Sequence, residues 1–174
     1  EQIKLHSGID ILECPDTETL VTEMQAAGID VSAATSWAGM VDKLLSDRVE
    51  PHLIQPCFPV DYPVAMSPLA KKKPEDDRIV ERFEAFAAGM ELANAFTELN
   101  DPVEQRSRFE DQELQRTQLP GEEWDRLDED FLTAVEHGML PTGGLGIGID
   151  RLIMLLSGQQ SIREVVLFPQ LRAT

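Results

Sequence analysis

The sequence predicts an α+β fold, an antiparallel sheet flanked by helices with a small helical insertion, on three observations. Two apolar runs, 79–86 and 90–99, meet at Gly89 and read as two antiparallel strands. Gly144, Gly146 and Gly148 alternate through a short run that leads into the apolar stretch 151–156, which reads as strand then helix. Residues 16–51 carry helical spacing and form the insertion. With 174 residues, the chain is long enough for one domain with a sizeable core.

In chain order, a first helix starts near Asp16 and ends before Gly28. A second places Trp37, Met40, Val41, Leu44 and Leu45 on one apolar face, a core stripe rather than a ligand site. Five prolines interrupt 51–68, which suggests irregular edge strand or loop, because proline cannot donate to a central ladder. Lys71-Lys72-Lys73-Pro74 reads as a mobile, solvated loop, with a phosphate-seeking lid as the functional alternative. Helix competes with strand over 78–100 because Glu and Ala are frequent, but the turn chemistry that follows favours strand. Asp101, Pro102 and Glu104 make a helix start, and a polar helix runs to about residue 115. Its charges Glu104, Arg106, Arg108, Glu110 and Asp111 read as a solvated face. Another helix spans 128–137 and stops at Gly138. Ser161-Ile162-Arg163-Glu164 is a capping box, followed by an expected buried strand at 165–168.

Charge and cysteine usage narrow the function. Lys and Arg total 15 against 32 Asp and Glu, a net charge of −17, so the chain repels a phosphate backbone unless local contacts intervene. Cys14 and Cys57 lack CxxC spacing, which indicates neither a disulfide framework nor a zinc site and fits a reduced, cytoplasmic setting. No apolar run is long enough for a signal peptide or a membrane span. His6, His52 and His137 are scattered and read as structural or solvent-facing.

Alternation places Gly144, Gly146 and Gly148 on one strand face, open to a flat ligand approaching the backbone. Asp150 is expected to cap the helix that follows, leaving Arg151 in its first turn. A cation there opposes the helix dipole at a cost of roughly 0.3–1 kcal/mol, and a guanidinium aimed at a nucleotide would justify it. The plainer reading is a buried strand and helix with an incidental arginine.

Asn94, Phe96 and Glu98 are two apart, so they project from one face. An amide, an aromatic wall and a carboxylate suit a ligand with an ammonium group and an aliphatic stem, although the same trio also fits a solvent face. Glu84 and Glu91 flank the Gly89 turn, where two carboxylates repel unless a cation separates them, and magnesium suits so few ligands. Glu91 and Asn94 differ by three, so a shared site requires a bulge near Leu92 and Ala93. No Ser-His-Asp triad, Walker loop or zincin helix is present. Adenylate-forming chemistry needs none, because the substrate carboxylate itself attacks the α-phosphate.

The segment 144–152 resembles motif 3 of class II aminoacyl-tRNA synthetases, and 90–102 resembles the signature of the lysyl members of that family. Residues 51–70 and 162–169 are similar too, so the resemblance covers essentially the whole chain. Ala93 and Ala95 stand where many lysyl enzymes have glycine, and Met90 where a basic residue is common. The resemblance implies that Arg151 stacks on the adenine of ATP, with Glu91 and Gly148 also at the ATP site. It implies that Asn94, Phe96 and Glu98 hold lysine, and that Glu84 and Glu91 bind magnesium. Motifs 1 and 2 and an anticodon-binding OB-fold have no counterpart in these residues. The chain is therefore expected to be a C-terminal catalytic-domain segment, inactive alone, of a homodimeric enzyme that charges tRNA(Lys). A lysine ligase acting on elongation factor P and a non-catalytic synthetase-derived binding module are the alternatives.

Overall fold

The computed structural model describes residues 1–32, 36–118 and 128–169. Helices α1 (Gln2–Ser7), α2 (Thr17–Ala26) and α3 (Trp37–Leu44) come first, and α3 passes into a π-helical turn at Leu45–Val49. The Asp16 carboxylate caps α2 by accepting from the Thr19 amide at 2.8 Å, and Ser36 caps α3 through the Gly39 amide at 3.1 Å. Met40, Val41 and Leu44 turn inward against Leu20 and Met24, so the stripe on α3 is core as expected. Ile3, Ile9 and Cys14 join the same core, which brings α1 into the helical unit expected over 16–51. The Trp37 indole closes one edge by donating to the Cys14 carbonyl at 2.8 Å. Both cysteines are free thiols.

Strands β1 (Arg82–Ala87), β2 (Met90–Thr97) and β3 (Gly143–Ile147) form an antiparallel sheet in the order β1-β2-β3. Ala88 and Gly89 join β1 to β2 with left-handed φ values of 55° and 72°, the backbone of a tight hairpin turn. Register runs Ala85↔Ala93 and then Phe86↔Glu91, leaving Leu92 unmatched. This is the expected bulge, and beyond it the side chains of β2 change face. Along the outer edge of β1 the proline-rich segment makes only single bridges, Cys57↔Phe86 and Val60↔Phe83. Proline breaks the ladder there, as expected.

Lysines 71–73 depart from the expected mobile loop. The Lys71 amide donates to Thr97 and its carbonyl accepts from Glu81, both at 2.8 Å, and Lys73 donates to Ile79 at 3.0 Å. Lys72 pairs with Glu104 at 3.0 Å and Lys73 with Asp61. With its backbone and the Lys72 and Lys73 ammonium groups engaged, the segment is an irregular edge of the sheet rather than a lid.

Helix α4 (Pro102–Gln118) opens on Asp101, whose carboxylate accepts from the Val103 and Glu104 amides. Its charges are not all solvated. The Arg108 guanidinium is buried and donates to the carbonyls of Ser67, Pro68 and Ala70 at 3.2, 3.2 and 2.7 Å, while pairing with Glu104 at 2.7 Å. Gln105, fully buried beside it, donates to Pro68 at 3.2 Å. Carbonyls in an irregular segment lack ladder partners, and these two side chains satisfy them. Helix α5 (Glu129–Glu136) is capped by Asp128 and buries Leu132 and Val135.

Helix α6 (Ile149–Ser157) begins earlier than expected: Gly148 is its N-cap, and Asp150 lies inside the first turn instead of capping it. Gly158 ends it with φ 68°. The capping box at Ser161 forms as expected around a single turn, Ile162–Glu164. The strand expected at 165–168 does not form; Leu167 and Phe168 are each 89% exposed. A hydrophobic run becomes a buried strand only where a neighbouring strand accepts its backbone bonds, and none of the described strands pairs with it. Among the described residues no helix is long and apolar enough to cross a membrane.

Arg108→Ala should lower the stability of the chain by about 2 kcal/mol, because the Ala70 carbonyl loses this donor while Ser67, Pro68 and Glu104 are left with the Ala70 amide, Gln105 and Lys72 alone. Urea unfolding measures this, and a loss below about 1 kcal/mol would contradict the clamp.

Candidate functional site

Cross-strand partners share a sheet face, and the register therefore assembles the site. One row is Glu84–Asn94–Gly146, the next Arg82–Phe96–Gly144, and Phe86 faces Glu91. The Leu92 bulge brings Glu91 onto the face that carries Asn94, as the shared site requires. Glu91, Asn94, Gly146, Gly148, Asp150 and Arg151 line an open cleft of about 400 Å³.

The three glycines do different work. Gly144 and Gly146 lie in β3, whereas Gly148 has left the strand and starts α6, donating to the Leu92 carbonyl at 2.8 Å. A Cβ on Gly146 would meet only the Asn94 carbonyl, at 3.8 Å, so this glycine keeps the cleft floor flat without being forced by packing. At Gly144 a Cβ would fall on the Glu98 carboxylate.

Glu98 lies just past β2, its amide donating to Thr142 at 2.9 Å and its backbone bridging Ala70. Its half-buried carboxylate rests over Gly144, and among the described residues no cation and no donor reaches it. Burial alone raises its pKa from the ordinary 4.5. Phe96 packs against Tyr62, Ala70 and Val80 and walls the same face.

Glu84 and Glu91 are not direct cross-strand partners, and each has its own arginine. Glu84 Oε1 accepts from Arg82 at 2.5 Å and Oε2 from the Tyr62 hydroxyl at 2.7 Å, in a pocket where Arg82 and Glu84 are each 15% exposed. Burial, with Glu84 beside it, pushes the Tyr62 hydroxyl far above its ordinary range, so it remains a donor. Glu91 Oε2 accepts from Arg151 at 3.0 Å, and the same Arg151 nitrogen reaches the Glu91 carbonyl at 3.0 Å. The first-turn arginine thus has a structural partner that offsets its clash with the helix dipole. Its guanidinium stays half exposed at the cleft rim.

No group of three or more acidic, histidine or cysteine side chains among the described residues is arranged to hold a metal. Magnesium needs only one or two carboxylates when phosphate oxygens complete its shell. Glu91, half exposed with one oxygen engaged, fits that need; Glu84 fits only through the second lone pairs of oxygens already bonded. Arg82 and Tyr62 are the site-lining residues that sequence reading missed. Arg82 and Glu84 stand two apart in a strand, and that spacing was the available signal.

The model of the class II tRNA synthetases for D, K and N matches residues 2–172, and the chain belongs to this family. It is 56% identical to a lysine–tRNA ligase of Dehalococcoides mccartyi strain BAV1 over 172 residues, 99% of this chain and 34% of that protein. A lysine–tRNA ligase of Chloroflexus aurantiacus is 55% identical over 166 residues, 95% of this chain and 34% of the relative. One from Moorella thermoacetica is 49% identical over 172 residues, 99% of this chain and 35% of the relative. The chain thus spans about a third of the length of these curated relatives. The α+β sheet and helices agree with the family.

Gly144→Ala should leave the fold intact, since the clashing atom ends a flexible side chain, but should drive the Glu98 carboxylate out of its pocket. Carboxyl NMR titration would then find the Glu98 pKa back near its ordinary value, and an unchanged, raised pKa would contradict the close packing.

Proposed function

We propose that the chain is a catalytic-domain segment of a class II lysine–tRNA ligase, a cytoplasmic homodimer that activates lysine with ATP and charges tRNA(Lys). One observation carries the choice of amino acid: the half-buried Glu98 carboxylate, without a cation among the described residues, on the face shared with Asn94 and Phe96. A lone ammonium neutralises such a carboxylate, whereas the side chain of aspartate would be repelled by it and that of asparagine could donate a hydrogen bond but would leave its charge uncompensated.

In this reading lysine lies along the β2 face, with its Nζ at Glu98, its aliphatic stem on Phe96 and its backbone end at Asn94. ATP occupies the cleft beside Gly146 and Gly148, with the adenine under the Arg151 guanidinium, which Glu91 holds in place. Glu91, with Glu84 alongside, would hold magnesium, which neutralises charge on the phosphates when bound. The chain's own contribution is positioning. An oxygen of the lysine carboxylate bonds to the α-phosphorus as the bond to pyrophosphate breaks, leaving lysyl-adenylate. A ribose hydroxyl of the tRNA terminus then attacks the activated carbonyl and AMP departs. No protein nucleophile enters either step, so orientation and charge stabilisation carry the rate.

In the full-length enzyme, Glu98→Gln should raise the lysine requirement of lysine-dependent ATP–pyrophosphate exchange about 100-fold, the cost of an ammonium without its counter-charge. Exchange driven by aspartate or asparagine but not lysine would sink the assignment, and an unchanged lysine requirement would refute the ammonium pocket.

The pH dependence follows from the raised Glu98 pKa. Only the ionised carboxylate attracts Nζ, so lysine affinity is complete above that pKa and is lost as pH falls through it. The loss therefore begins above the ordinary 4.5. Without ligand the sign reverses, because a raised carboxylate pKa stabilises the fold as pH falls through it. Calorimetric titration of lysine between about pH 4 and 7 tests the first half: a flat affinity across that range would contradict it.

A further inference from the structure

We propose that Arg82 is a positioning residue: it holds the carbonyl oxygen of the Asn94 side chain and thereby turns that amide's NH₂ outward, as a donor for the substrate's carboxylate. The inference deepens the reading above and rests on it. Arg82 pairs with Phe96 across the β1–β2 ladder, one row from Asn94, and its Nε donates diagonally to Asn94 Oδ1 at 3.1 Å. A guanidinium has donors only, so its partner on an amide must be the oxygen. The orientation of Asn94 therefore follows from chemistry rather than from choosing between two similar atoms.

Arg82 is itself held on every side. One terminal nitrogen donates to Ser67 Oγ at 2.7 Å and to the Met66 carbonyl at 3.1 Å, and the other to Glu84 Oε1 at 2.5 Å. Its guanidinium carbon stands 4.6 Å from the centre of the Tyr62 ring. Tyr62 in turn donates to the second oxygen of Glu84 at 2.7 Å. With 15% of the side chain exposed and four acceptors engaged, Arg82 has no alternative geometry that keeps its bonds. Asn94 inherits that fixity. With Oδ1 taken by Arg82, the NH₂ is the group Asn94 has left for the cleft it lines, where the reacting end of the amino acid would lie, while Glu98 would serve the opposite, cationic end. The β2 face then reads as a ruler with a donor at one end and an acceptor at the other, which selects direction as well as charge.

The sense of the Asn94 bond is open to a direct test in the full-length enzyme. Asn94→Asp keeps the shape and gains an ion pair with Arg82, but offers the substrate only acceptors. Lysine binding should weaken at least about 30-fold, while cadaverine, which has the ammonium and stem but no carboxylate, changes by less than about threefold as a competitor. Equal weakening of both compounds, or tighter lysine binding, would overturn the donor assignment. Arg82→Gln should raise the lysine KM about tenfold alone and by less than about twofold in an Asn94→Ala background, with the ATP KM following neither pattern. The same factor in both backgrounds would overturn the positioning role. If the unsubstituted enzyme is driven by another amino acid, the lysine reading falls, and the Arg82–Asn94 coupling is measured on that amino acid's own carboxylate.

Discussion

Everything at the site depends on one extra residue in β2. A strand turns alternate side chains to opposite faces, so Glu91 and Asn94, three apart, belong on different sides of a regular sheet. Leu92 stands unmatched between Phe86↔Glu91 and Ala85↔Ala93, and the parity changes there. Only because of that shift does the carboxylate that anchors Arg151 share a floor with Asn94 and Phe96. The Leu92 carbonyl faces β3 and accepts the Gly148 amide, the last rung of the β2–β3 ladder before β3 gives way to α6. A regular hairpin would lose the shared face, while the β2–β3 register carries no such shift.

Much of this was legible because local chemistry decided it. Asp16, Asp101 and Asp128 each stand at a helix start and cap it as their residue types require, and the Ser161 box closes as read. The bulge was inferred from parity alone. What escaped has a common physical cause: it depends on partners far along the chain. Arg108 reads as solvated from its own helix, and only the carbonyls at 67–70, nearly forty residues earlier, make it a buried clamp. The 165–168 run has the composition of a core strand, yet composition supplies no neighbour for its backbone. Asp150 has the residue type of a cap, but the helix starts two residues sooner, at Gly148, whose amide is held by the Leu92 carbonyl. Spacing alone suits Asn94, Phe96 and Glu98 to an ammonium ligand and Arg151 to a nucleotide, the family likeness names lysine and ATP, and the register adds that Glu91 shares the face of Asn94.

Charge distribution separates the two ends of the site. With 32 acidic residues against 15 basic ones, isolated carboxylates are common, and one exposed to water would carry little meaning. Within the site the carboxylates differ in partnership instead. Glu84 has Arg82 and Tyr62, and Glu91 has Arg151, whereas Glu98 has neither cation nor donor among the described residues. A half-buried charge left in that state raises the free energy of the unliganded fold, and that penalty is relieved when a cation or a proton arrives. The unpaired carboxylate is therefore the part of the site most sensitive to what binds.

This contrast explains why so much of the surrounding chain is committed to rigidity. An ammonium attracted to Glu98 would bind in many poses if the rest of the face were mobile, and attraction alone does not bring a carboxylate to a phosphorus atom. The Arg108 clamp holds the 67–70 segment, whose Ala70 bridges Glu98 and whose Leu69 carbonyl accepts the Leu99 amide. Arg82 holds Asn94 from the other side while resting on Tyr62. A buried arginine and a part-buried one thus brace the two ends of one strand face, each spending its donors on backbone or on fixed side chains. The acceptor end and the donor end are then set at a constant separation by β2 itself, and in the proposed reading this fixed spacing, more than any single contact, would let one strand measure the length of an amino acid laid along it.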